Sequence, residues 1–147
     1  MKTSQNGINL IKQFEGCKLE AYKCPAGVWT IGYGHTGNVK NGDKISELSA
    51  ETLLAIDLQK FEYAINENVV RKCYLTQNEF DSLVSFVYNI GISAFLNSTM
   101  LKLLIENKKE EAAEQFDKWI YAKGIKLAGL IKRRAAEKAL FLAKPYY

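Results

Sequence analysis

The chain has 147 residues, of which 48% are hydrophobic, 24% are charged and only two are proline. This length predicts one compact domain, and the composition excludes a disordered or a fibrous chain. No apolar run approaches the roughly 20 residues that cross a bilayer, and residues 1–7 lack the apolar segment of a signal peptide. We therefore expect a soluble protein without an export signal of its own.

The net charge of +4 is distributed unevenly. Residues 118–147 contain eight of the 20 basic residues and one of the 16 acidic residues, so this segment carries +7 and residues 1–117 carry −3. Such clustering favours a polyanionic partner, namely nucleic acid, anionic lipid or an acidic cell-wall polymer. Solvated helix faces explain the same pattern about as well.

Three cysteines, Cys17, Cys24 and Cys73, accompany a single histidine, His35. They lack the paired C-x-x-C spacing of a zinc site, so we predict no metal. An odd number of cysteines without a signal peptide is typical of thiols made in a reducing compartment. Later oxidation would still allow a bridge from Cys24 to Cys17 or to Cys73.

The spacing of Ile8, Ile11 and Phe14 predicts a first helix that is capped by Ser4 or Asn6 and ended by Gly16. The acid before that glycine then lies in the last helical turn. Residues 17–42 contain half of the glycines between short aromatic and β-branched stretches. This pattern predicts a small β meander.

The later segments predict helices. Ser49 is expected to cap a helix with the apolar stripe Leu54, Leu58, Phe61 and Ile65. The sequence 76–79 is a capping box that opens a third helix ending near Gly91. Further helices are predicted over residues 98–107, 108–122 and 129–143, the last ended by Pro145. The predicted fold class is therefore α+β and mostly helical, with a small N-terminal lobe, a larger helical C-terminal lobe and a cleft between them.

Two chemical patterns in the glycine-rich segment are weak. Residues 32–37 match G-x-G-x-x-G, but they lead into a polar turn instead of opening a helix in a βαβ unit, which argues against a dinucleotide site. Cys24 and His35 are the right residue types for a thiol–imidazole pair. Nothing in their spacing brings them together, however, and most single histidines are structural.

Glu15 is the stronger candidate for chemistry. At the C-terminal end of a helix, the dipole disfavours a further negative charge and raises the pKa of a carboxyl group, which suits a general acid. A solvated glutamate at a helix end is the plain alternative. The residues that flank Glu15 decide between the two.

Those flanking residues, 14–22 (FEGCKLEAY) and 27–36 (GVWTIGYGHT), resemble the catalytic signature of the phage-type lysozymes, the endolysins of tailed bacteriophages. Residues 75–91 and 129–137 resemble the same family, so the likeness covers nearly the whole chain in order. It implies a single lysozyme-like catalytic domain over residues 1–147. It also implies a muramidase without a cofactor, which hydrolyses the β-1,4 bond between N-acetylmuramic acid and N-acetylglucosamine in peptidoglycan and lyses the host cell.

The family triad is a glutamate, an acidic residue nine positions later and a threonine six positions further, which correspond here to Glu15, Cys24 and Thr30. Cys24 departs from the acidic residue, although some family members resemble this chain in carrying cysteine there. The resemblance implies that Glu15 protonates the leaving oxygen. We hypothesise that Cys24, with Thr30, activates or positions the nucleophile on the opposite face of the sugar.

Other likenesses concern supporting residues. Tyr88 and Asn89 resemble residues that line the substrate cleft, and a core position suits Tyr88 about as well. His35 is expected to support the site. Arg134 or Arg133 resembles the arginine that pairs with the catalytic glutamate, a contact that would lower the pKa of that carboxyl.

The resemblance further implies partners and a location. Peptidoglycan strands are the expected substrate of a monomer that needs neither nucleic acid nor stable membrane insertion. The enzyme is expected in the bacterial host cytoplasm until a holin gives it access to the periplasm and cell wall. Two other classes stay open: a catalytically degenerate lysozyme-fold module that binds peptidoglycan, suggested by Cys24, and a nucleic-acid binder that uses the basic segment.

Overall fold

The computed structural model describes residues 1–143, which form a mostly helical α+β structure, as predicted. In chain order the elements are α1 (Gln5–Glu15), β1 (Lys18–Lys23), β2 (Trp29–Gly32), α2 (Glu47–Ile65), a π-helical turn (Asn66–Val70), α3 (Gln77–Ile90), α4 (Ile92–Leu96), α5 (Thr99–Ile105), α6 (Lys109–Glu114), a 3-10 turn (Gln115–Lys118), β3 (Tyr121–Ala122), β4 (Ile125–Lys126) and α7 (Ala128–Leu142). Within residues 1–143, no helix is both long enough and apolar enough to span a bilayer.

The chain forms two compact units. Residues 11–60 make one unit, and residues 1–10 together with the chain from Phe61 onward make the other. The assignment of both units to a single domain over residues 1–147 stays a prediction.

In the unit of residues 11–60, β1 and β2 pair antiparallel as a hairpin. Single bridges, Glu20 with Lys44 and Ile31 with His35, extend this pairing. The predicted meander is therefore a two-stranded hairpin with isolated bridges. A third strand does not form because the chain turns repeatedly after β2, with Gly34 at a φ of 97°.

The cap of α2 also differs from the prediction. The Ser46 hydroxyl accepts a hydrogen bond from the N–H of Ser49 at 3.1 Å, and the helix begins at Glu47. Ser46 is therefore the capping residue, and the prediction of Ser49 was wrong. Both serines satisfy the preference for a hydroxyl at a helix start, which is why composition did not distinguish them.

In the other unit, the core is built on α3, which packs against α7. The capping box at Thr76 and Glu79 is present, and α3 ends at Gly91 with a φ of 93°, as predicted. The cap of α5 is Ser98, whose hydroxyl accepts from the N–H of Leu101. Helix α7 agrees closely with the predicted range of 129–143, whereas Pro145 lies outside the described residues.

The predicted helix over residues 108–122 was partly wrong. Helix α6 ends at Glu114, a 3-10 turn follows, and the chain then forms the hairpin β3–β4, in which Tyr121 pairs with Lys126. Lys123 and Gly124 adopt φ values of 51° and 77°, the geometry of a tight two-residue turn. The apolar residues before this turn continue a helical spacing, and they concealed the reversal of the chain.

Candidate active site

Glu15 is the last residue of α1 and is half-buried. Gly16 then turns the chain at a φ of 68°. A Cβ atom at position 16 would meet nothing within 4 Å, so the backbone conformation and not crowding requires glycine. The sequence thus determines both where α1 ends and which carboxyl group stands at its end.

Contacts within residues 11–60 hold the last turn of α1. Lys12 forms an ion pair with Glu51 of α2, and its ammonium lies 5.5 Å from the ring centroid of Tyr33. Hydrogen bonding to Glu51 raises the pKa of Lys12. Burial raises the pKa of the Tyr33 hydroxyl, and a hydrogen bond with the Cys17 thiol makes a smaller contribution in the same direction. These contacts link the helix that carries Glu15 to α2.

Cys24 lies in the turn between the two strands of the first hairpin. Its N–H donates to the carbonyl of Val28 at 3.0 Å, and the N–H of Gly27 donates to the Cys24 carbonyl at 2.8 Å. The turn is therefore closed on both sides of Cys24 by backbone hydrogen bonds. It fixes the half-buried thiol close to Thr30 of β2.

The surroundings of Cys24 favour the thiolate. Backbone N–H groups of Val28 and then Ala26 donate to the sulfur and lower the pKa of the thiol, and the Thr30 hydroxyl adds a smaller contribution, while partial burial opposes them. The buried Thr30 hydroxyl also lies 3.0 Å from the Val28 carbonyl. It has one proton, which it can donate to the carbonyl or to the thiolate.

His35 has other partners than Cys24. Its Nδ1 lies 2.8 Å from a carboxylate oxygen of Asp57, and its Nε2 lies 2.8 Å from the carbonyl oxygen of Gly37. Both ring nitrogens are occupied, so the thiol–imidazole pair does not form. His35 instead ties the loop after β2 to α2, through an aspartate 22 residues away that the sequence did not single out.

All three cysteines are free thiols, including Cys24. Burial raises the pKa of the Cys73 thiol, in the opposite direction to Cys24. A bridge between Cys24 and another cysteine is therefore not present in this structure.

In the other unit, Asn89 and Arg134 line one cavity of about 320 Å³. Its remaining lining residues are mostly apolar or aromatic, namely Ile90, Trp119, Tyr121, Ala122 and Leu130. Tyr88 is half-buried and packs edge to face on Phe61, with ring centroids 5.2 Å apart. The structure thus brings Asn89 and Arg134 together and gives Tyr88 a packing contact.

A buried charge network holds Arg134. Its guanidinium forms an ion pair with Glu137, donates to the Asn89 side chain, and donates from Nε to the Trp119 carbonyl at 2.9 Å. Arg133 also contacts Glu137, at 3.2 Å. Burial lowers the pKa of Arg134, while the charge of Glu137 opposes that shift.

Sequence reasoning missed Glu137, which is fully buried and accepts a hydrogen bond from Ser85 at 2.6 Å. A signal was present, because Arg134 and Arg133 precede Glu137 by three and four residues, the spacing at which helical side chains meet. Ser85 lies 52 residues earlier, so no local pattern indicated that contact.

Comparison with known proteins agrees with this fold. The sequence profile of the family described as phage lysozyme matches residues 12–137, a range that includes every predicted site residue. The chain is 46% identical over 145 residues to an endolysin of Acyrthosiphon pisum secondary endosymbiont phage 1, covering 96% of this chain and 98% of that protein. It is 45% identical over 144 residues to an endolysin of Bacillus phage PZA, of which it spans only 55%.

A solved structure gives the same result. The muramidase domain of SpmX from Asticaccaulis excentricus superposes with a TM-score of 0.92 at 44% identity, with 97% of this chain and 99% of that chain covered. Three findings lead to one assignment: the profile match across most of the chain, the 46% identity over nearly the full length of an endolysin, and this superposition. The chain belongs to the phage lysozyme family, as a lysozyme-type glycoside hydrolase of the endolysin class.

Proposed function

We propose that the chain is a muramidase that hydrolyses the β-1,4 bond between N-acetylmuramic acid and N-acetylglucosamine in peptidoglycan, with Glu15, Cys24 and Thr30 as its catalytic residues. One observation carries the proposal. Within residues 11–60, Glu15 stands at the end of α1, while backbone N–H groups and the Thr30 hydroxyl lower the pKa of the Cys24 thiol.

The roles follow from what glycoside hydrolysis requires, namely an acid for the leaving oxygen and a second group for the attacking water. Glu15 gives its proton to the glycosidic oxygen as the bond from that oxygen to the anomeric carbon breaks. The Cys24 thiolate accepts the proton of the water that forms the new bond to the same carbon. Thr30 orients the water or the sulfur, and solvent returns the proton from Cys24 to Glu15 between turnovers.

More of the Cys24 sulfur is present as thiolate than its residue type suggests. An ordinary thiol is mostly protonated at neutral pH and therefore holds few thiolates ready to accept a proton. Donation from the N–H groups of Val28 and Ala26 shifts the balance toward the thiolate. The turn around Cys24 thus increases the ionised fraction of the thiol at neutral pH. A carboxylate is ionised there because of its own low pKa.

Asn89 is proposed as a substrate-binding residue. The cavity that it lines offers the amide together with the aromatic side chains of Trp119 and Tyr121, a combination that suits a sugar with its acetamido group or lactyl side chain. Arg134 supports this cavity by holding the Asn89 side chain. Tyr88 contributes through its packing on Phe61.

The test is digestion of purified Gram-negative peptidoglycan, with the products identified by mass spectrometry and reduction of the new ends. We expect reducing ends on muramic acid. Glu15→Gln should lose these products by about 10²–10⁴-fold, the usual contribution of general acid–base catalysis. Cys24→Ser should also lose most activity, whereas the matched control Cys73→Ser should keep it.

Full activity of Cys24→Ser, with activity lost in Glu15→Gln, would refute a role for the thiol. The stereochemistry of the product tests the mechanism independently. Attack by water in one step inverts the anomeric carbon, whereas a covalent bond from the carbon to sulfur would give retention through two displacements. NMR of the first product anomer on a soluble glycan separates the two.

The alternative of a catalytically degenerate module that only binds peptidoglycan is not favoured by the endolysin relatives. It predicts a folded wild-type protein that pellets with cell walls and releases no muropeptides. The same digestion therefore distinguishes it from the enzyme.

We also propose, from the family resemblance, a monomer that waits in the host cytoplasm and reaches the wall through a holin. Light scattering during size-exclusion chromatography measures the oligomeric state. Expression in a bacterial host with and without a holin measures access to the wall, and lysis that is equally fast without it would contradict this route.

A further inference from the structure

The hairpin β3–β4 is exposed along its whole length, and its Tyr121 and Ala122 also line the cavity of Asn89 and Arg134. Tyr121 and Lys126 are cross-strand partners and share one face, while Ala122 and Ile125 share the other. All four are exposed, as is every residue from 121 to 129. Tyr121 is 59% exposed and Ile125 is 64% exposed, which is high for large apolar side chains.

The segment around this hairpin has charge of one sign. Lys118, Lys123, Lys126 and Lys132 are exposed, and no acidic residue occurs between positions 118 and 136. Within residues 1–143, none of these four lysines forms an ion pair with a carboxylate, whereas Lys138 of α7 pairs with Asp117. The surplus positive charge of the C-terminal segment is therefore concentrated at the hairpin.

Apolar and basic side chains alternate along this surface. Leu127 and Ile131, each about two-fifths exposed, follow Ile125 along the chain. Aliphatic side chains gain free energy in the acyl boundary of a bilayer, and lysine stems extend toward lipid phosphates. A nucleic acid or an acidic wall polymer would use the lysines but would gain little from Ile125 and Leu127.

We propose that the exposed side chains of this segment outside the cavity form a docking site for anionic phospholipid membranes, namely Lys118, Lys123, Ile125, Lys126, Leu127, Ile131 and Lys132. The exposed aliphatic side chains of Ile125 and Leu127 enter the interface, and Lys123 and Lys126 pair with lipid phosphates. Four lysines and a few apolar side chains give reversible, salt-sensitive attachment and not insertion. Such docking would keep the enzyme next to the bilayer that borders its substrate.

The test is co-sedimentation of the full chain with vesicles of phosphatidylcholine, either pure or with about one-third phosphatidylglycerol, at about 0.1 M salt. We expect at least tenfold stronger partitioning onto the anionic vesicles. Lys123→Asn with Lys126→Gln should weaken it roughly 25-fold, since each lysine near such a surface contributes roughly fivefold. Asparagine is chosen because it tolerates the positive φ at position 123.

The apolar contribution is tested by Ile125→Ser with Leu127→Ser, which should weaken partitioning about tenfold. The matched control is Lys40→Asn with Lys44→Gln, the same loss of charge at exposed lysines of the other unit, which should change partitioning by less than about twofold. Circular dichroism checks that each variant is folded. Hydrolysis of soluble glycan fragments should be unchanged in the hairpin variants.

Equal binding to both kinds of vesicle would overturn the proposal. So would a control variant, Lys40→Asn with Lys44→Gln, that binds the anionic vesicles as weakly as the hairpin lysine variant. Weaker binding of the lysine variant together with unchanged binding of the serine variant would also overturn the proposal, because a soluble polyanion would then be the better ligand. Retardation of duplex DNA that depends on Lys123 and Lys126, without vesicle binding, would identify that ligand as nucleic acid. Vesicle binding does not depend on the muramidase proposal, so either can fail alone.

Discussion

At the scale of single residues, Cys24 shows how a backbone can change the chemistry of a side chain. Val28 and Ala26 act through their N–H groups, so only substitution by proline would remove the effect directly. The Thr30 hydroxyl is the one side-chain donor in this set. Its removal therefore gives the most direct experimental access to the acidity of the thiol.

We predict that the alkylation rate of Cys24 by iodoacetamide rises at lower pH than that of Cys73, because the pKa of Cys24 is lowered and the pKa of Cys73 is raised. Peptide mass spectrometry after timed labelling measures both rates in one sample. Thr30→Val should move the Cys24 profile toward higher pH. In urea the two cysteines should label alike, and a difference that survives unfolding would contradict this explanation.

His35 leads to a second prediction. His35→Gln should lower the free energy of unfolding by about 1–3 kcal/mol, because the Asp57 carboxylate and the Gly37 carbonyl lose their hydrogen bonds to the ring. Urea titration measures this. The Cys24 alkylation profile serves as the control and should not change, whereas a shifted profile would restore a link between the imidazole and the thiol.

The place of Glu15 at the end of α1 was predictable from residue identity, since a glycine at positive φ follows it directly, whereas its catalytic role came from the family resemblance. The partners of His35 and Glu137 were not predictable, because Asp57 and Ser85 lie 22 and 52 residues away in the sequence. Long-range hydrogen bonds depend on the folded backbone. No periodicity or spacing encodes them.

At the scale of secondary structure, α3 gives the clearest test of a local rule. Thr76→Ala should lower the free energy of unfolding by about 1 kcal/mol, because the N–H of Glu79 loses its acceptor at 3.1 Å. Thr52→Ala is the matched control. The Thr52 hydroxyl donates to the Leu48 carbonyl within an exposed helical turn, and its loss should leave stability nearly unchanged. Equal effects in urea titrations would contradict the role of the cap.

The same scale explains which elements were predictable. The α3 boundaries are encoded locally, by a capping box at one end and Gly91 at the other. The hairpin β3–β4 has strands of only two residues, so no alternation is long enough to reveal them. The Lys123–Gly124 turn was the available signal, and the helical spacing around it concealed the turn.

At the scale of the whole molecule, the distribution of charge differs from what the sequence suggests. Two of the eight basic residues of segment 118–147, Arg133 and Arg134, are buried and pair with Glu137. They therefore belong to the core and add little to the surface field. Composition gave the correct total but could not separate interior charges from exposed ones.

We predict that Glu137→Gln lowers the free energy of unfolding by about 3–5 kcal/mol, because it removes the buried charge that pairs with the Arg134 guanidinium and that Arg133 also contacts. That loss is a large share of the usual stability of a domain, so the melting temperature should fall by about 10 °C. Calorimetry measures it. Glu114→Gln, an exposed site on α6, is the control, and an equally small effect at both positions would show that the buried network is unimportant.

The turn that lowers the pKa of the Cys24 thiol also makes its sulfur more reactive toward oxidants. Peroxides react with thiolates and convert them stepwise to sulfenic, sulfinic and sulfonic acids, the last two of which do not return under ordinary reduction. A carboxylate at the same position would be inert to them. If Cys24 has the catalytic role that we propose, oxidation of its sulfur inactivates the enzyme without unfolding it.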